Sequence, residues 1–79
     1  MIEHEFIWRQ QDRAYTAVDA VLGGGHILRL EWNEENVRME IELDIPLSEE
    51  EAGRLCAQFD LNASCEGETA NGSLICLYP

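Results

Sequence analysis

Glu3-His4-Glu5 sets an imidazole between two carboxylates, a residue set that suits a divalent metal if all three converge. Side chains alternate across a strand, so on a strand His4 would turn away from both glutamates. The only other histidine is His26. A half-buried, hydrogen-bonded imidazole accounts for each of them without a metal. Cys56, Cys65 and Cys76 form no Cys-x-x-Cys pair and have no adjacent base to lower a thiol pKa. In a reducing compartment they read as small apolar core residues. Gly23-Gly24-Gly25 has the glycine density of a phosphate loop, but the chain contains no lysine and no surrounding P-loop or dinucleotide pattern. A turn is the simpler reading. Seryl or cysteinyl catalysis needs a base in reach, and only two histidines are present. Glu40 and Glu42, on a strand face, lack the desolvated recess that tunes a general acid. No catalytic residue, metal ligand or cofactor is expected, and the chain is read as non-enzymatic.

Charge is the feature that stands out. Sixteen acids face five bases, all arginine, for a net charge of −11 over 79 residues. The imbalance is local: residues 31–51 hold nine acids and only Arg38, a net of −8. Such a field repels nucleic acid and anionic membrane, so neither is expected as a direct partner. No stretch approaches the roughly 18 apolar residues that span a bilayer. The N-terminus lacks the basic start and apolar run of a signal peptide. The cytoplasm is therefore the expected compartment, that of an infected bacterial host included. With 46% hydrophobic residues the chain still has enough apolar mass for one compact domain over 1–79.

The elements that must carry these residues are partly legible. Residues 26–32 and 37–45 alternate as a hairpin around Asn33-Glu34-Glu35-Asn36. One face would collect His26, Leu28, Leu30, Trp32, Val37, Met39, Ile41, Leu43 and Ile45, the other Ile27, Arg29, Glu31, Arg38, Glu40, Glu42 and Asp44. That register places Glu31 opposite Arg38 and Arg29 opposite Glu40. Ser48 and Glu51 make a capping box that starts a helix over about 48–59, with Leu47 stapling onto Ala52. Glu49–Glu51 occupy its first turn, and Ala52, Leu55, Cys56 and Phe59 form its apolar stripe. Asn71-Gly72 signals a second, C-terminal hairpin. A two-residue turn there puts Leu61, Ala63, Cys65, Leu74, Cys76 and Tyr78 on one face, and leaves Ile75 and Leu77 on the other, opposite Glu68 and Glu66.

Residues 14–22 fit two patterns. Ala14, Ala17, Val18, Val21 and Leu22 suit a helix ended by the three glycines. Strands over 2–9 and 14–22 suit a meander in which Ile2, Phe6, Trp8, Ala14, Thr16, Val18, Ala20 and Leu22 extend the hairpin's apolar face. Glu3, Glu5, Arg9, Tyr15 and Asp19 would then join the polar one. Agreement with the hairpin favours strands. The expected architecture is α+β: an antiparallel sheet of about four strands, one covering helix and a C-terminal hairpin.

The functional expectation follows from the charge. Glu31, Glu34, Glu35, Glu40, Glu42, Asp44, Glu49 and Glu50 are the candidate residues for binding a basic protein or nucleic-acid-binding complex. Trp8, Tyr15, Ile75 or Leu77 are candidate apolar anchors beside them. The plainer reading is a solvated face that keeps a small protein soluble. Strand carboxylates recur about every 7 Å, against one charge per roughly 1.7 Å of duplex axis, so faithful duplex mimicry is doubtful. The concrete expectation is an acidic inhibitor of the kind phages and mobile elements use against host defence, anti-CRISPR proteins included. A homodimeric assembly subunit, pairing through a strand edge or through Ile75 and Leu77, is the alternative, with an immunity protein or antitoxin for a basic nuclease beside it.

Overall fold

The computed structural model describes residues 2–59 and 62–79, with side chains from residue 5 onward. The side chains of Ile2, Glu3 and His4, and the whole of Leu61, lie outside the described residues, so the readings that involve them stay at the level of sequence. The elements are α1 (Ile2–Leu22), β1 (Ile27–Asn33), β2 (Arg38–Leu43), α2 (Glu49–Cys56), β3 (Asn62–Glu68) and β4 (Ser73–Tyr78). Four strands form one sheet of order β1-β2-β4-β3 with antiparallel neighbours. The α+β class, the covering helix and the C-terminal strand pair match the sequence reading; the sheet has the expected four strands, but two of them are the C-terminal pair and none comes from residues 2–22. The order is not a simple meander, because β4 inserts between β2 and β3.

Strands over 2–9 and 14–22 are overturned: the segment is a single helix of 21 residues. Phe6, Gln10, Ala14, Ala17 and Val18 are buried at helical spacing, whereas a strand would have put Phe6 and Trp8 on one face. Phe6 is 8% exposed and Trp8 70%. Gly23 ends the helix at φ 81, its N–H donating to the Asp19 carbonyl at 3.1 Å. That left-handed position favours glycine.

The first hairpin closes one residue later than expected, which shifts each cross-strand partner by two. Asn33 pairs with Arg38, Glu31 with Glu40 and Arg29 with Glu42, so the turn is Glu34-Glu35-Asn36-Val37. A two-residue slip keeps every face, but moves Val37 from the apolar face into the turn at φ 50. The Asn33 side-chain oxygen accepts from the Asn36 N–H at 3.0 Å and holds the bend. A bulge between Ile27 and Arg29 then swaps the face of β1. Ile27 packs against the core, and Leu28, expected inside, is 53% exposed.

The second hairpin is corrected as well. Glu68 pairs with Ser73, and a four-residue turn over 69–72 is closed by mutual Thr69–Gly72 backbone bonds. A second bulge lies between Cys65 and Gly67. Ile75 and Leu77 therefore sit on the helix-covered face and are fully buried in the protein's own core. They anchor no partner.

That core gathers Met39, Ile41, Leu43, Ile75 and Leu77 from the sheet, Phe6, Ala14, Ala17 and Val18 from α1, and Leu55 and Phe59 from the second helix and its exit. Each large aliphatic side chain buried this way contributes about 1.5–3 kcal/mol. Surface ion pairs contribute about 0–1 kcal/mol each, so the helix–sheet core holds the fold together. Ser48 caps α2 through the expected box with Glu51, and Leu47 packs against the core.

Candidate protein-binding surface

With both helices on one face of the sheet, the other face is covered, among the described residues, by the sheet's own side chains. Alternation along β1 and β2 delivers Arg29, Glu31, Arg38, Glu40 and Glu42 to it, with Cys76 and Tyr78 from β4. Glu40 is the centre of this layer and is itself buried. Its carboxylate accepts from Arg38 at 2.9 Å, Arg29 at 3.2 Å and Asn33 at 3.1 Å. Arg29 also donates to Glu31 and Glu42. This bridge explains how Glu31 and Glu40, like charges placed directly opposite, are tolerated. Glu42 further accepts from the Thr69 hydroxyl at 2.8 Å, and Arg38 donates to the Tyr78 hydroxyl at 3.0 Å.

These contacts set the protonation behaviour of the layer. Burial on its own would raise the Glu40 carboxyl, but the bonds from Arg38, Arg29 and Asn33 outweigh it and hold it below the ordinary glutamate range. The Thr69 hydroxyl, then Arg29, hold Glu42 low. Burial pushes the Cys76 thiol up to about 11, which keeps it protonated and inert. Cys65, read from sequence as a core residue, is exposed, and Cys56 is half-buried.

The eight candidate carboxylates fall into three places. Glu31, Glu34 and Glu35 line a shallow hollow at the β1–β2 tip, together with Trp32 and Asn33. Glu40 and Glu42 are held within the arginine-bridged layer. Asp44, Glu49 and Glu50 lie beyond the opposite end of β2, Asp44 accepting from His26 at 2.8 Å. The six residues of β2 separate the two ends by about 20 Å. The segment from 31 to 51 is thus contiguous in sequence and divided in space. Six of the eight, all but Glu40 and Glu42, are exposed. Among the described residues, Glu34, Glu35, Glu49 and Glu50 meet no cationic side chain within ion-pair reach.

Family models, curated proteins and solved structures offer no match to this chain.

Among the described residues no three His, Cys, Asp or Glu side chains gather as a metal site, and no helix is long and apolar enough to cross a membrane. Sequence reading named Trp8 and Tyr15 only as optional anchors. Among the described residues they are the two most exposed large hydrophobic side chains, at 70% and 54%, and both lie on the outer side of α1. The signal that identifies them is their spacing of seven, two helical turns, which has meaning only once the segment is a helix.

Proposed function

We propose that this protein is a non-catalytic acidic module that binds a basic protein, in its most concrete form an inhibitor occupying the cationic surface of a nucleic-acid-binding protein or complex. The observation that carries this reading is the set of exposed, unneutralised carboxylates at both ends of the sheet, Glu34, Glu35, Glu49 and Glu50, within a chain of net charge −11. Glu40 and Glu42 belong to the fold on this reading, because their charges are met by Arg29 and Arg38. The division of the acids into two ends favours a partner with separated basic patches over one that reads a continuous phosphate-like track.

Neutralising Glu34, Glu35, Glu49 and Glu50 to glutamine tests this, since none of the four is buried. The parent protein, immobilised and exposed to extract of its native host, is expected to retain a basic nucleic-acid-binding protein at about 50 mM salt and release it near 500 mM. The fourfold variant is expected to retain it at least tenfold more weakly. Retention that is indifferent to both salt and the four substitutions would defeat the reading.

A further inference from the structure

The outer side of α1 carries Glu5, Trp8, Asp12, Tyr15 and Asp19, and all five are exposed. Their spacing alternates three, four, three, four, which keeps them within an arc of about 80° on the helix. Along this line, acid and aromatic side chains alternate without a break. The line is about 21 Å long. The edge-to-face contact of Phe6 with Trp32, at 5.5 Å, sets the first turns of α1 at the end of the sheet that carries Glu34 and Glu35. The glycine turn returns its last turn to the end where the His26 carbonyl accepts from the Asp44 N–H at 2.9 Å. The seam therefore connects the two groups of exposed acids.

Neither aromatic supports the fold from this side, since the buried stripe of α1 faces the opposite way. Two rings exposed to this degree present on the order of 300 Å² of largely apolar surface. A second copy is a poor occupant, because it would bring three more carboxylates onto Glu5, Asp12 and Asp19 and add to the repulsion of a chain at −11. An arginine-bearing surface matches both residue types at once. A guanidinium stacks on Trp or Tyr and pairs in two-pronged fashion with a neighbouring carboxylate, which an ammonium does less well.

We propose that the Glu5-Trp8-Asp12-Tyr15-Asp19 seam is the docking surface for an arginine-rich helix or ridge of the partner, with Trp8 and Tyr15 as its anchors. That the partner is basic rests on the function proposed above, whereas the place of the surface and the choice of arginine over lysine rest on the exposed rings and carboxylates of the seam itself. Exposed Arg9 lies to one side of the seam and marks its boundary.

The probe is an alanine-based helical peptide carrying arginines at alternating three- and four-residue steps, titrated against the whole protein with tryptophan emission as the readout. A lysine version serves as the comparison. The arginine peptide is expected to bind at least about threefold more tightly than the lysine one. Replacing Trp8 and Tyr15 together by alanine is expected to cost about tenfold or more in affinity, read by peptide fluorescence, with an unchanged thermal melt. Glutamine at Glu34, Glu35, Glu49 and Glu50 should cost less than the aromatic pair. Equal binding by the aromatic double variant overturns the proposal, as do absence of peptide binding to the parent, equal affinity for lysine, or a dimer in light scattering that the double variant dissolves. If only the four-glutamine variant loses binding, the seam falls and the acidic module stands. If neither variant changes the affinity, both fall.

Discussion

Gly72 shows how much a single position can decide. A Cβ built there would lie 2.2 Å from the Leu43 carbonyl oxygen and 2.5 Å from the Ile45 nitrogen, both backbone atoms that cannot swing aside. Next to it the Ser73 hydroxyl donates to the Ile45 carbonyl at 2.8 Å, so the second hairpin is pressed onto the exit of β2. Gly72→Ala is expected to destabilise the protein by at least about 2 kcal/mol, read from the urea midpoint, because overpacking against rigid atoms forces the backbone apart. The Asn71-Gly72 pair was visible in the sequence as a turn, but the reason for the glycine was not, since it depends on a strand thirty residues upstream. The cysteines divide in a way that sequence did not foresee. Labelling by a thiol reagent should modify Cys65 first, Cys56 more slowly and Cys76 only on unfolding, as their exposures require. Rapid labelling of Cys76 in the native protein would contradict its burial.

At the scale of elements, what sequence resolves is what local chemistry controls. The capping box at Ser48 and Glu51 and the acidic first turn are local, and α2 starts as expected; it ends at Cys56, short of the expected 59, and Phe59 reaches the core from the exit turn. Hairpin faces were also legible, because alternation survives a slip of two residues. The register was not, because it is set by Val37 in a left-handed conformation and by a bulge at Ile27 and Arg29, neither of which has a composition signal. A β-branched residue at φ 50 is strained. Val37→Gly is therefore expected to stabilise the protein by about 1 kcal/mol in denaturant titration. No gain would mean that the turn relaxes around the valine. The first segment was misread for a different reason. Its buried stripe contains Gln10, 1% exposed, where an apolar residue would have marked a helix, and its outer face carries Trp8 and Tyr15. Hydrophobicity alone therefore points the wrong way, and the acid–aromatic seam stayed hidden with it. Both edge strands carry a bulge, and β3 adds Glu66 and Glu68, so neither edge is a flat template for another strand.

For the whole molecule, acid is the informative perturbation. Glu40, Glu42 and Glu51 all titrate below the ordinary value of 4.5 in the folded protein. Unfolding then takes up protons as the pH falls into that range. The stability supplied by their bonds is fully present above about pH 4.5 and is lost as the pH drops through the lower folded values. The urea midpoint should hold steady near neutrality and fall steeply below about pH 4.5. Glu40→Gln should lower stability at pH 7 by about 1–3 kcal/mol, since two arginines lose their common carboxylate while keeping some access to water. It should also flatten the acid limb. An unchanged limb in that variant would place the acid sensitivity elsewhere in the chain's sixteen carboxyl groups.

The position of β4 between β2 and β3 has a consequence for how the molecule comes into being. Until Ser73–Tyr78 have been made, β2 has no strand on its inner side and the sheet lacks Ile75 and Leu77, two of its fully buried residues. Emergence from the ribosome therefore cannot build this sheet stepwise from the front. The β1–β2 hairpin gains its inner neighbour, and the core gains Ile75 and Leu77, only with this six-residue strand.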